Sequence, residues 1–212
     1  ALLKNGEYAR AKAKMAQAYG AFQSRDVDDE AMRIFFLKGF CKVSDALKEN
    51  DKAIKYANEV LKLAKTAEDR IFAYGKLGAA YRRKGDFDKA VENHQQAQAL
   101  AEKAHGANHP EVALSYHRIG KVCHEQGDYV TAIAYHERAV RIWLEALGSS
   151  HPLIAAAYHG TGAAYAGRGA YGRAITNYEA ALEIWLKAYG ENHPVTATCY
   201  NNLGAALDKD KR

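Results

Sequence analysis

Leu147-Gly148-Ser149-Ser150-His151-Pro152 reads as the end of one helix and the start of the next, and Tyr189-Gly190-Glu191-Asn192-His193-Pro194 repeats the phrase 42 residues later. Its ending also stands 42 residues earlier as Asn108-His109-Pro110, so all three prolines of the chain follow a histidine at one interval. Self-similarity at a fixed period is the mark of a repeat architecture. Asn108, Ser150 and Asn192 are good N-cap residues, and a proline in the first turn loses no helical hydrogen bond. The sequence therefore predicts a helix starting at each His-Pro.

Outward from that joint, Tyr116-His117-Arg118-Ile119-Gly120 aligns with Tyr158-His159-Gly160-Thr161-Gly162 and Tyr200-Asn201-Asn202-Leu203-Gly204, with Tyr74-Gly75-Lys76-Leu77-Gly78 one step upstream. A second frame runs Gly85-Asp86-Phe87-Asp88-Lys89-Ala90, Gly127-Asp128-Tyr129-Val130-Thr131-Ala132 and Gly169-Ala170-Tyr171-Gly172-Arg173-Ala174. The same phrase, Gly6-Glu7-Tyr8-Ala9-Arg10-Ala11, opens the chain. Gly85, Gly127 and Gly169 suit the left-handed residue that closes a helix, and the aromatic and alanine after each recur at helical spacing. Each unit is thus a helix-turn-helix pair, and no stretch alternates with period two as a strand would.

Gly78, Gly120, Gly162 and Gly204 fall inside first helices, where each costs roughly 1 kcal/mol against alanine. Their recurrence predicts close helix packing, with Ala90, Ala132 and Ala174 as the small partners. Tyr81 and Tyr165 fill the next inward turn, where Cys123 and Leu207 substitute. The unit between Ala11 and Ala90 is degenerate: it lacks its turn glycine and has a short loop after its second helix. Trp143 and Trp185, one repeat apart, are expected to pack into the following repeat.

These residues, in the order aromatic, apolar-Gly, Tyr, turn Gly, Ala, aromatic or His, Ala, resemble a tetratricopeptide repeat. The usual period is ~34 residues, so 42 implies longer helices and loops. With Leu-Gly-x-x-His-Pro at the joint and Asn201-Asn202-Leu203 in the last unit, the longer form resembles the repeats of kinesin light chains. The resemblance covers residues 70–212 firmly and 1–69 as tetratricopeptide-like only. It implies an all-α, right-handed superhelical solenoid forming one domain over 1–212. Within it the expected parts are a lone second helix at 1–20, a degenerate repeat at 28–66, full repeats at 70–106, 109–148 and 151–190, and a first helix of a partial repeat at 193–212. Beginning and ending in mid-repeat, the chain reads as a piece of a longer array.

First helices line the concave wall of such a solenoid, and those walls bind extended or helical peptides. Offset from the buried aromatic and glycine of each first helix, the wall positions are Lys38 and Lys42, then Lys76, Ala79 and Arg82, then His117, Lys121 and His124. His159 and Ala163 follow, then Asn201, Ala205 and Asp208. The candidate groove residues are Lys38, Lys42, Lys76, Arg82, His117, Lys121, His124, His159 and Asn201, a basic, histidine-rich set. His117, His159 and Asn201 are expected to stack as a ladder of hydrogen-bonding side chains. If the two histidines line the groove, an acidic ligand should bind more tightly as the pH falls from 7.5 to 6. Kinesin light chains use a similar basic groove for acidic cargo peptides carrying an aromatic residue, so the resemblance implies a protein partner with an acidic linear motif. The plain alternative for such lysines and histidines is a solvated helix face.

Other functions find less support. Lys38 and Lys42 echo the clamp by which some tetratricopeptide proteins hold a chaperone C-terminal carboxylate, but the asparagine that clamp requires does not follow them. His105 and His109 have helical ligand spacing without a third ligand, and no nucleophile with a paired carboxylate or glycine-rich phosphate loop is present. The reading is a scaffold, not an enzyme, with no metal and no cofactor. Two rivals remain: a structural module whose open helical ends pair between chains as a homo-oligomer, and a regulatory or sensor segment of a larger multidomain protein.

Composition agrees with a folded chain. The 212 residues are 48% hydrophobic and 26% charged, and 30 Lys+Arg against 25 Asp+Glu leave a net charge of +5. The basic residues are interleaved with acids, so no nucleic-acid arm is indicated. No apolar run reaches membrane-spanning length and no secretory leader is legible, so a soluble, cytoplasmic protein with no membrane partner is expected. Cys41, Cys123 and Cys199 are isolated and odd in number, and read as small buried residues.

Overall fold

The structure is a computed structural model that describes residues 2–24 and 29–211, with side chains from residue 6 onward. The expected start of the degenerate repeat at residue 28 lies outside the described residues. Among the described residues ten helices and no strand are found: α1 (Leu2–Gln23), α2 (Glu30–Ala46), α3 (Asn50–Leu63), α4 (Ala67–Lys84), α5 (Phe87–His105), α6 (Pro110–Glu125), α7 (Tyr129–Leu147), α8 (Pro152–Gly167), α9 (Tyr171–Tyr189) and α10 (Pro194–Asp210). The all-α repeat solenoid expected from the 42-residue phrases is the fold observed. The chain divides into two compact units, Ala1–Leu100 and Ala101–Arg212, with the boundary inside α5.

In the first unit, α1 lies on α2 through Tyr19, whose ring is 5.3 Å from Phe36 and 5.8 Å from Phe40. Lys12 of α1 pairs with Glu49 beyond the end of α2. Ile34 and Leu37 of α2 pack with Val60 of α3 and Ala73 of α4, and Cys41, Ala57 and Leu77 form the next layer. The α2–α3 turn has no glycine, and Lys48 takes the left-handed conformation there, at φ 58°. Its backbone nonetheless closes as the glycine turns do: Glu49 N donates to Ser44 O, as Asp86 N does to Tyr81 O after Gly85.

In the second unit the joint phrase acquires its physical reason. The N-caps are His109, His151 and His193, one residue later than the Asn108, Ser150 and Asn192 expected. Each histidine is extended, and its Nδ1 accepts from the backbone N–H two residues on, at Glu111 (3.2 Å), Leu153 (3.2 Å) and Val195 (3.4 Å). A residue before proline is driven out of the α region, which is the conformation an N-cap needs. The imidazole therefore does the work usually given to Asn or Ser. Gly85, Gly127 and Gly169 are left-handed, as expected, at φ 79°, 83° and 77°.

The in-helix glycines do mark close approach, though chiefly to a different partner. A Cβ at Gly78 would sit 2.5–2.7 Å from the His94 ring, and one at Gly120 2.8–3.0 Å from the His136 ring. At Gly162 it would meet Tyr178 at 2.9 Å and the Ala174 carbonyl at 3.2 Å. His94, His136 and Tyr178, again 42 residues apart, thus fill the space the glycines open, each one turn beyond the expected alanine. Trp143 is fully buried against Ile154 and Ala157 of α8, with its Nε1 donating to Pro110 O at 3.2 Å, and Trp185 packs with Cys199 and Ala206 of α10. The three cysteines are free and buried. Burial pushes the Cys41 and Cys199 thiols up to about 12 and about 11, so they are inert packing groups.

Candidate functional site

In the second unit, α6, α8 and α10 present one face whose residues enclose a cleft of about 270 Å³. Its lining includes three expected wall residues, His117, Lys121 and His159, together with Trp185, Val195 and Thr198. The floor is apolar and aromatic. The His159 ring lies 5.3 Å from Tyr178 and 5.5 Å from Trp185. One repeat earlier the His117 ring lies 4.9 Å from His136 and 5.7 Å from Trp143. Each wall histidine therefore rests on two aromatic or imidazole rings of the second helix beside it.

The ladder expected along this wall is differently wired. His159 Nε2 is 2.8 Å from Asn202 Nδ2, and His117 Nδ1 is 3.2 Å from His136 Nδ1. Asn201 is exposed and does not line the cleft. Asn202 sits about 100° round α10 from Asn201, which turns it toward α8. His124 is half-buried with its ring 5.3 Å from Tyr129, outside the cleft lining.

Electrostatics correct the expected role of the histidines. Burial first, then the neighbouring charge of His136, Lys121, Arg118 and His159, holds the His117 pKa well below the usual imidazole value. Burial, with Lys121 and His124, lowers that of His159, and burial drives His136 down to about 3. The cleft is thus lined by neutral imidazoles at pH 7, and the gain in positive charge expected between pH 7.5 and 6 is displaced to more acidic pH. The formal positive charge of the lining is Lys121, an exposed side chain.

In the first unit, three other expected residues converge on one ring. The ammonium groups of Lys38, Lys42 and Lys76 lie 5.4, 5.9 and 5.9 Å from the Phe72 centroid. Two of them are held by acids: Lys38 pairs with Asp69, and Lys76 with Asp45 at 2.6 Å. Arg83 joins Asp45 at 2.5 Å, while Arg82 is half-buried in the last turn of α4. Lys42, on the exposed side, points its charge at the half-buried aromatic face.

Sequence reasoning did not assign Trp185, Val195 and Thr198 to the site. Trp185 carried a signal, its 42-residue spacing from Trp143, but its place beneath His159 depends on how α9 meets α8. Among the described residues no group of three or more His, Cys, Asp or Glu side chains is placed to hold a metal ion. No helix of the described residues is long and apolar enough to cross a membrane.

The tetratricopeptide repeat family profile matches residues 69–145, 111–185 and 162–212, and the chain belongs to that family. No curated protein matches the sequence. Among solved structures the chain is similar to BtubC (BKLC) from P. vanneervenii, at 18% identity and a TM-score of 0.75 over 98% of this chain and 83% of that one. It is also similar to a Podosopora anserina kinesin light chain protein of nearly identical TPR-like repeats, at 22% identity and a TM-score of 0.68 over 87% and 90%. The apo form of RapI aligns at 16% identity and a TM-score of 0.76 over 99% and 82%. These likenesses show a shared repeat fold, kinesin light chain-like repeats among them.

Proposed function

We propose that this chain is a protein-interaction scaffold without chemistry of its own, and that the wall of α6, α8 and α10 receives an extended, acidic segment of a protein partner. The observation that carries the reading is the cleft beside Lys121, floored by Trp185 and walled by His117 and His159. Its apolar floor suits one aromatic or aliphatic side chain. Neutral imidazoles offer both donors and acceptors to a peptide backbone, and Lys121 supplies attraction for a neighbouring carboxylate. In the first unit Lys42, beside Phe72 and its acid-held neighbours Lys38 and Lys76, offers an exposed positive charge to acidic groups.

The test is a titration of three peptides onto the purified chain: one acidic with a central tryptophan, one basic of the same length, and one ending in a free carboxylate after a neutral sequence. The acidic peptide should bind and the other two should not. Lys121→Glu should weaken it by at least about ten-fold, a loss of roughly 1.4 kcal/mol, with Arg82→Glu as a companion and the difference largest at low salt. Equal binding to the wild-type and Lys121→Glu chains would place the ligand elsewhere.

A further inference from the structure

The cleft beside Trp185 has a filled counterpart one repeat earlier. Ala156, Gly160 and Val195 of its lining stand 42 residues after Leu114, Arg118 and Leu153. Leu114 and Leu153 pack on the cluster around Trp143, which is fully buried. Ala156 and Val195 pack on the cluster around Trp185 with smaller side chains, and Trp185 keeps 6% of its surface and lines the cleft. The space that the leucines fill over the first tryptophan is therefore open over the second. Gly160 widens it for its own reason: a Cβ there would strike the His136 ring at 2.6 Å, so no side chain stands at this position.

The two tryptophans also differ at their polar edge. Trp143 Nε1 donates to Pro110 O at 3.2 Å. The matching carbonyl one repeat on is that of Pro152, yet among the described residues Trp185 Nε1 has no hydrogen-bond acceptor. An almost fully buried donor without a partner is costly once water is excluded from it. The imidazoles on the same lining have capacity to spare. His159 meets Asn202 through Nε2, and His117 meets His136 through Nδ1, which leaves Nδ1 of the one and Nε2 of the other for a ligand. The remaining nitrogen of a neutral imidazole either donates or accepts, according to tautomer.

We infer that Ala156, Gly160 and Val195 are the specificity determinants of this wall: they open a pocket for one anchoring side chain of the partner segment, and Trp185 requires that side chain to end in a hydrogen-bond acceptor. This rests on the reading of the wall as a site for an acidic segment, and adds which kind of residue anchors it. A phenol meets both demands. Its ring covers the apolar floor, its oxygen accepts from Trp185 Nε1, and its hydrogen goes to an imidazole nitrogen. An indole brings only a donor and a phenyl ring neither, so both would seal the Trp185 N–H from water unpaired.

The test is a titration onto the 212-residue chain of three acidic peptides identical but for a central Tyr, Phe or Trp. The tyrosine peptide should bind at least about three-fold more tightly than the other two. Trp185→Phe keeps a ring under His159 but removes the N–H, and should erase the advantage of Tyr over Phe. Ala156→Leu combined with Val195→Leu should weaken the tyrosine peptide by at least about ten-fold, whereas Leu114→Met, in the filled repeat, should leave it unchanged. Circular dichroism melts establish that each variant is folded, and the Tyr and Phe comparison on the wild-type chain decides the acceptor requirement without any variant. Equal binding of the Tyr and Phe peptides to the wild type would overturn that requirement. Undiminished binding to a folded Ala156→Leu, Val195→Leu chain would overturn the pocket, while the wall reading would stand if Lys121→Glu still weakened the same peptide. Failure of every acidic peptide to bind would overturn the wall reading and this inference together.

Discussion

His117 Nδ1 and His136 Nδ1 lie 3.2 Å apart, one on α6 and one on α7, so one ring must donate a proton there and the other accept it. Two neutral imidazoles of opposite tautomer satisfy this contact. Two cations cannot, and the surroundings oppose even one: burial, His124, Lys121 and His159 all act on His136 to disfavour its charge. The rings packed on the His117–His136 pair are those of the repeat itself, so the fold depends on their staying neutral.

Stability should therefore fall with acid. Folded-state pKa values below the unfolded value mean that the unfolded chain binds more protons, so ΔG of unfolding decreases as pH drops below about 6.5. With His136 near 3 in the folded chain, that residue alone should cost about 2 kcal/mol at pH 5. The urea midpoint should fall steadily between pH 7 and 5, and less steeply in His136→Gln. Parallel pH profiles for the two chains would remove His136 as the cause.

Glycine replacements should divide by repeat. Gly78→Ala and Gly162→Ala gain roughly 1 kcal/mol of helix propensity, but the new methyl meets a ring within 2.9 Å in a packed layer. Overpacking of this kind costs about 1–3 kcal/mol, so both should be net destabilised. Gly204→Ala meets open space and should be stabilised by about 0.5–1 kcal/mol. Thermal melts of the three variants beside the wild type provide the comparison.

How much of this was legible in the sequence follows from which features are local. The helix starts at residues 110, 152 and 194 were readable because proline constrains its own turn and the residue before it. The cap itself was misplaced by one residue, since histidine is not a usual N-cap and its capping role arises from the His-Pro pair. The wall positions His117, Lys121 and His159 follow from helical phase and do share one cleft. Their charge states do not follow, because His136, Trp143, Tyr178 and Trp185, which desolvate them, sit on other helices. Asn202 was passed over for Asn201 on the same ground: a one-residue error in phase is invisible until α8 stands beside α10.

The turn between α2 and α3 offers a simple gain. The sequence shows a missing glycine, and the structure shows the left-handed site retained, with Lys48 in it at φ 58°. A non-glycine residue there carries about 1–2 kcal/mol of strain, partly offset by the greater unfolded-state entropy of glycine. Lys48→Gly should raise stability by about 0.5–1 kcal/mol. An unchanged or lowered urea midpoint would mean that the lysine side chain compensates for its backbone.

The two tryptophans provide a reporter for the proposed site. Trp143 is fully buried and hydrogen-bonded to Pro110 O, whereas Trp185, 6% exposed, lines the cleft under His159. A peptide side chain entering the cleft would displace water next to Trp185 alone. In a Trp143→Phe chain, which should lose about 1 kcal/mol with its hydrogen bond, the acidic peptide should shift the remaining emission to the blue and reduce its quenching by acrylamide. In a Trp185→Phe chain the emission of Trp143 should not respond to the same peptide. A response from Trp143 with none from Trp185 would move the binding site away from the α6, α8 and α10 wall, even if the affinity for acidic peptides were confirmed.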